Sequence, residues 1–328
     1  MKTSTESWLS PLILRYLDLK KALGRGFAVE RRVLETLGDF LGSTAAADLT
    51  QCEFERWCKT HTHLTPGVRR NRMRIVRNFC LYRRRTEPNC FVPDLDGFPH
   101  PHQPVQPYIF SETEIVRLLQ ATTYLRPVVR CPLRRQFFRV AIVLLYTAGL
   151  RRGELLRLTL QDYDPQARTL FVRESKFHKS RYLPLSADAS RELEAYLAAR
   201  RRYRFPKGVN SPLLWNGYAN GRTYTASGLT DGLQELLRAA DIKKADGRLP
   251  RVHDFRHAFA ARVLLRWYRT GVDLQTKLPS LATYLGHVSI ASTEYYLPFI
   301  AEIALVASNR FCNRYGALVQ PLSHGGAA

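Results

Sequence analysis

Six prolines fall between Pro88 and Pro107 (Pro88, Pro93, Pro99, Pro101, Pro104 and Pro107), with only a short apolar island among them. Proline has no amide hydrogen to give a helix or an interior strand, so the stretch interrupts whatever folds on either side. It reads as an extended interdomain linker over residues 88–107, separating a segment 1–87 from a segment 108–328. A length of 328 residues agrees with two cores rather than one.

The first segment is helical by pattern. Apolar residues recur at three-to-four spacing in Leu12, Ile13, Tyr16 and Leu17 and again in Val33, Leu34, Leu37, Phe40 and Leu41. Pro66 suits the first turn of a further helix running through Arg85. That helix carries eight arginines (Arg69, Arg70, Arg72, Arg74, Arg77, Arg83, Arg84, Arg85) beside an apolar stripe of Val68, Met73, Val76 and Phe79. One face is expected to pack and the other to meet phosphates, with Arg69, Arg70, Arg72, Arg74 and Arg77 as the DNA contacts; the bland alternative is a solvated basic helix.

The second segment opens at Ser111 and Glu114, a capping-box pair. Arg135 to Tyr146 is apolar on most faces and reads as a core helix. Thr169–Arg173 and Arg181–Leu185 flank a polar stretch and predict a β-hairpin with Lys176 to Lys179 at or near its tip. Helices are then expected over Ala187–Arg202, Ala226–Ala240, His253–Tyr268 and Leu274–Tyr284. The predicted fold class is mainly α with one small antiparallel β-sheet.

Charge narrows the partners. Fifty lysines and arginines against 28 acidic residues leave a formal net charge of +22. A polyanion offsets such self-repulsion, and nucleic acid is the natural one. A membrane surface fits worse, since no lysine-rich amphipathic helix is visible and no apolar run is long enough to span a bilayer. Without a basic leader in Met1–Ser10, the expected place is the cytoplasm, on the nucleoid when DNA is bound. The cysteines (Cys52, Cys58, Cys80, Cys90, Cys131 and Cys312) form no Cys-x-x-Cys pair, so reduced thiols and no metal site are expected.

Three groups of residues carry chemistry. Arg151 precedes Glu154 by three residues, so a helical turn lets the carboxylate fix the guanidinium, although such a pair is more often a surface ion pair. His253 and Arg256 share one face at a helix start, where an anion is favoured, but a lone His-x-x-Arg is usually structural and His257 suits a core. His287 and Tyr296 are nine apart, and their joint use requires a break, for which Gly286 and Ser289 are suitable.

Arg151 with Glu154, Lys176 ahead of Arg181–Leu185, His253-x-x-Arg256, Leu285-Gly286-His287 and Tyr296 stand in an order and register that resembles the tyrosine recombinases (phage integrases, Xer- and Cre-type enzymes). The resemblance runs over roughly Tyr108 to Arg314. It implies an α-helical core-binding domain in 1–87 and a mixed α/β catalytic domain with a C-terminal helix and tail in 108–328. By the same match Arg151, Lys176, His253, Arg256 and His287 surround the scissile phosphate of double-stranded DNA, Glu154 supports them, and Tyr296 is the nucleophile. No cofactor is implied, and the working form is a homo-tetramer on DNA, alone or alongside sister recombinases. Lys179 and Arg181 are further expected DNA contacts, and Lys179 is the alternative to Lys176 as general acid.

Two departures are visible. Ser175–Lys179 lacks the glycine-rich turn of many members, and Arg266–Pro279 is longer than in compact Xer-type chains, resembling transposon-borne integrases. Rival functions are a type IB topoisomerase, which reseals the same strand, and a DNA-binding accessory factor that does not cleave.

Overall fold

The computed structural model describes residues 8–24, 27–100, 106–129, 131–173, 180–203, 205–217, 223–287, 289 and 293. The chain divides into two compact units, Met1–Val105 and Gln106–Ala328. Among the described residues no helix is long and apolar enough to cross a membrane.

The first unit is built from α1 (Ser10–Ala22), α2 (Ala28–Ser43), α3 (Gln51–Lys59) and α4 (Pro66–Arg83). Pro66 sits in the first turn of α4, where its missing amide hydrogen has no helical acceptor to lose. Ile13, Tyr16 and Leu17 from α1, Leu34, Leu37 and Leu41 from α2, Phe54 and Trp57 from α3, and Val76 and Phe79 from α4 close one core. This removes the apolar stripe of each helix from water.

The arginines of α4 do not behave alike. Arg83 is 7% exposed and donates to Asp48 and Glu87 at 2.6 Å each. Arg70 donates to the Pro99 carbonyl at 2.6 Å, and Arg77 to that of Pro93. The early part of the proline-rich stretch is therefore laid along α4. Cys90 and Phe98 are buried there, with Phe91 and Val92 packed on the same core. Arg74, Arg84 and Arg85 are exposed, and Arg69 and Arg72 partly so.

The second unit begins with α5 (Glu112–Ala121), whose Ser111 and Glu114 form the reciprocal capping box. Helix α6 (Arg134–Thr147) is buried from Val140 to Tyr146 because α8 (Ala187–Arg201) and α10 (Val252–Arg269) both pack on it. After α7 (Arg152–Arg157) comes an antiparallel sheet of β1 (Tyr163–Asp164), β2 (Thr169–Val172) and β3 (Arg181–Pro184) in the order β1-β2-β3. Leu170 pairs with Leu183 facing the core, and Phe171 pairs with Tyr182 on the outer face, as period-two alternation requires. Val172 pairs with Arg181, and residues 174–179, where the tip is expected, lie outside the described residues. Helices α9 (Ala226–Ala239) and α11 (Leu274–Leu285) complete the unit. The predicted hairpin and the last four predicted helices all form, within one or two residues of their expected ends.

Helix α9 approaches α6 through Gly232, where a Cβ would stand 2.0 Å from Cζ of Phe138. Phe138 is fully buried and cannot move aside. Gly232→Ala should therefore destabilise the protein by about 1–3 kcal/mol through overpacking, although alanine favours an isolated helix by about 1 kcal/mol. Denaturant unfolding decides between them, and a stabilised variant would contradict the packing described.

Candidate active site

The site grows from the corner between α6 and α7. Gly149 has φ of 61°, and a Cβ there would lie 2.6 Å from the Phe259 ring of α10, so only glycine lets the chain turn at this place. The turn delivers Arg151 to the start of α7. Its backbone N–H donates to Oε2 of Glu154 at 2.9 Å and its Nη1 to Oε1 at 2.7 Å. Its Nη2 donates to the Gly286 carbonyl at 2.8 Å. The guanidinium is thus held on two sides while a fifth of the side chain stays exposed.

Glu154 is 2% exposed and serves more than one arginine. Arg181 of β3 approaches it with both terminal nitrogens, Nη1 to Oε1 at 3.1 Å and Nη2 to Oε2 at 2.9 Å. Arg256 of α10 lies 3.9 Å from Oε2. Burial alone would raise the Glu154 pKa, but hydrogen bonds and charge from Arg181 and Arg151 outweigh it and hold the carboxyl down at about 2. The carboxylate is ionised at any working pH.

Arg256 is fully enclosed. Nη1 donates to the Gly149 carbonyl at 2.8 Å and Nη2 to that of Leu285, so one side chain joins the α6–α7 corner to the end of α11. Helix α11 stops because Gly286 takes the left-handed conformation, φ 66° and ψ 45°. His287 follows, its backbone N–H bonded to the Ala282 carbonyl and its Nδ1 2.8 Å from the hydroxyl of buried Thr293. Gly286 thus ends α11 immediately ahead of His287, while most of the chain between His287 and Tyr296 lies outside the described residues.

His253 stands in the first turn of α10, beside the Asp254 carboxylate that caps the helix through the Arg251 N–H at 2.7 Å. By surface area His253 is exposed, yet the surrounding protein removes part of its hydration. That desolvation, with the cations Arg256, Arg151 and Arg251, lowers its pKa to about 4. Burial and the charges of Arg256 and Arg151 lower His287 to about 3, and burial with neighbouring His253 does the same to His257. All three imidazoles are neutral near pH 7, so each can donate one hydrogen bond and accept another without adding charge.

Arg151, Glu154, His253, Arg256 and His287, expected from the sequence to work together, come from three separate elements and meet at one place. Lys176, Lys179 and Tyr296 lie outside the described residues. Arg181, read from the sequence as a DNA contact, has a side chain only 9% exposed; Nε donates to the Tyr284 carbonyl at 2.6 Å and its other nitrogens to Glu154. Its role inside the protein has no pattern in the sequence, since the partner carboxylate lies 27 residues upstream. Thr293, which holds His287, was equally invisible in the sequence.

Comparison with known proteins places this geometry. The model of the phage integrase family matches residues 109–299. A chain of Sinorhizobium fredii named as an integrase/recombinase, y4rB, is 31% identical over 305 residues, covering 92% of this chain and 96% of that one. The tyrosine recombinase XerC of Oceanobacillus iheyensis is 27% identical over 274 residues, covering 81% and 83%. Among solved structures, the Tn1549 transposon integrase in complex with transposon right-end DNA superposes with a TM-score of 0.62 at 18% identity, covering 87% and 93%. A lambda integrase dimer bound to a core site gives 0.55 at 14% identity, covering 86% and 96%. By the family match over more than half its length and by likeness to y4rB along almost all of it, the chain belongs to the phage integrase family of tyrosine recombinases.

Proposed function

We propose that this chain is a site-specific recombinase that cuts and rejoins double-stranded DNA through a 3′-phosphotyrosyl bond on Tyr296. The observation that carries the reading is the Arg151 guanidinium, braced between Glu154 and the Gly286 carbonyl and still exposed, with neutral His253 and His287 beside it. A preset planar fork of this kind matches two oxygens of a phosphate and needs no rearrangement when charge develops there. Arg256 adds positive charge from beneath while bonded to the Gly149 and Leu285 carbonyls.

In the proposed step the Tyr296 phenolic oxygen attacks phosphorus in line, its proton passes to a neutral imidazole of the site, His253 or His287, and the bond to the 5′ oxygen breaks. Lys176 supplies the proton to that leaving oxygen, with Lys179 as the alternative donor. Attack by the 5′-hydroxyl of another strand reverses the sequence and reseals DNA. Arginine charge takes the part of a metal, and the covalent bond conserves the phosphodiester energy, so neither metal nor nucleotide enters the scheme. The helical unit acts as the core-binding domain, gripping the backbone with the arginines of α4 that face outward, Arg69, Arg72 and Arg74 foremost, while Arg70 and Arg77 brace residues 93–99. Solved relatives such as the Tn1549 and lambda integrases were captured on DNA. Strand exchange between two sites calls for a DNA-bound tetramer, of this chain alone or with sister recombinases.

Tyr296→Phe should abolish covalent protein–DNA adducts on a nicked suicide duplex while leaving binding in a mobility shift intact, and Tyr295→Phe should still form them. An adduct mapped to Tyr295, or formed by Tyr296→Phe, would remove Tyr296 as the nucleophile.

Arg151→Lys should slow adduct formation by on the order of 10²-fold or more, because an ammonium cannot reproduce the two-oxygen fork. Arg256→Lys should in addition lower the melting temperature, since an ammonium cannot bridge the two carbonyls. Cleavage at the native rate by Arg151→Lys would sink the proposed role of the fork.

The histidine shifts set a pH dependence. Their folded pKa values, about 4 and about 3, lie below the ordinary 6.5, so between those limits the unfolded chain binds more protons than the folded one. Stability from these residues is complete above pH 6.5 and is lost as pH falls toward 4. In the DNA-free protein, the His253 and His287 ring resonances should show no titration between pH 5.5 and 8, and a midpoint near 6.5 would show that the site is not desolvated as described.

A further inference from the structure

The Arg151 guanidinium has two protein anchors, Oε1 of Glu154 at 2.7 Å and the Gly286 carbonyl at 2.8 Å. One other side chain bonds the first anchor directly and the backbone just ahead of the second. Arg181 clasps the far side of the Glu154 carboxylate with two nitrogens, at 3.1 and 2.9 Å, and its Nε holds the Tyr284 carbonyl, two residues before Gly286, at 2.6 Å. The two guanidiniums also share a seat: a Cβ on Gly286 would lie 3.0 Å from Nη1 of Arg181 and 3.4 Å from Nη1 of Arg151. Their exposures differ, the Arg181 side chain being 9% exposed and that of Arg151 20%.

We propose that Arg181 is a positioning residue for DNA cleavage, fixing the Arg151 fork by holding the Glu154 carboxylate directly and, through the Tyr284 carbonyl, the backbone that leads into Gly286. The inference rests on the reading of Arg151 as the arginine that meets the scissile phosphate. A purely structural Arg181 would only neutralise Glu154, a task that Arg151 already shares. Arg181→Met retains the aliphatic stem and leaves the carboxylate its bonds from Arg151, so the fold is expected to stand while the aim of Arg151 loosens. A displacement of about 1 Å in such a site costs on the order of 10²-fold in rate.

The test uses the full chain and a nicked duplex on which covalent capture by the wild-type protein has fixed the scissile phosphate. Single-turnover cleavage is compared on three forms of that duplex: the ordinary phosphodiester, a methylphosphonate that lacks one non-bridging charge, and a 5′-thio form whose leaving group needs no proton. Arg181→Met should slow the ordinary substrate by about 10²-fold. The loss should shrink at least tenfold on the methylphosphonate, where an arginine fork matters less, and persist on the 5′-thio form. Arg151→Ala should show the same pattern, and the double variant Arg151→Ala/Arg181→Met should be no slower than Arg151→Ala alone.

Equal loss on all three substrates, or losses that multiply in the double variant, would overturn the inference and leave Arg181 a structural residue. Selective recovery on the 5′-thio form would also overturn it, by showing that Arg181 acts on protonation of the leaving oxygen. If Arg151→Ala cleaves the ordinary substrate normally, the phosphate-binding reading itself has failed, and the inference goes with it. Should Arg181→Met unfold, Arg181→Lys carries the same comparison, because it keeps one charge on Glu154 but cannot reach both oxygens and the Tyr284 carbonyl together.

Discussion

A single carboxylate organises the candidate site of the second unit. Glu154 lies buried at the start of α7 and receives hydrogen bonds from Arg151 and Arg181, with Arg256 at 3.9 Å. Three guanidiniums packed without a counter-charge would repel one another in a medium that screens poorly. With the carboxylate between them they become a fixed array, each plane set by at least two acceptors. A buried ion pair is weak evidence for stability in general, because desolvation offsets much of the attraction. Here its use is orientation: the carboxylate sets the direction in which each guanidinium points and leaves the cluster with net positive charge.

The backbone takes part on equal terms. Arg256 bonds to the carbonyls of Gly149 and Leu285, and Arg151 to that of Gly286. These carbonyls are available because Gly149 and Gly286 both take the left-handed conformation, which ends regular helical bonding and turns peptide oxygens inward. The histidines complete the picture by remaining neutral among the cations. A protonated imidazole there would add to the repulsion, and burial with neighbouring arginine charge prevents it.

Much of this was legible in the sequence, for identifiable reasons. Helices declared themselves by three-to-four spacing and, at Ser111, by a capping pair; the β2–β3 hairpin declared itself by two apolar strands around a polar stretch. Arg151 and Glu154 were readable because a partner three residues away is local information. Arg181 was not, since its acceptors lie on α7 and at the end of α11, and a basic residue beside a hairpin tip resembles a DNA contact until its acceptors are known. The arginines of α4 taught the same lesson: one run of like residues divides into exposed members, a buried ion pair at Arg83 and two that hold carbonyls of residues 93 and 99. Strand β1, two residues long, is too short to leave a periodic signal.

The distances along the chain between bonded partners have a consequence for synthesis. Arg151 and the Gly286 carbonyl are 135 residues apart, and Arg256 and the Gly149 carbonyl 107. Contacts of such separation form only after the intervening chain has been made and folded. A nascent chain that has exposed α6, α7 and the hairpin holds a basic surface but lacks the carbonyl against which its Arg151 fork is set. If the proposed function holds, affinity for nucleic acid can thus precede the geometry needed to cut it, and a truncated translation product would be a binder without a blade.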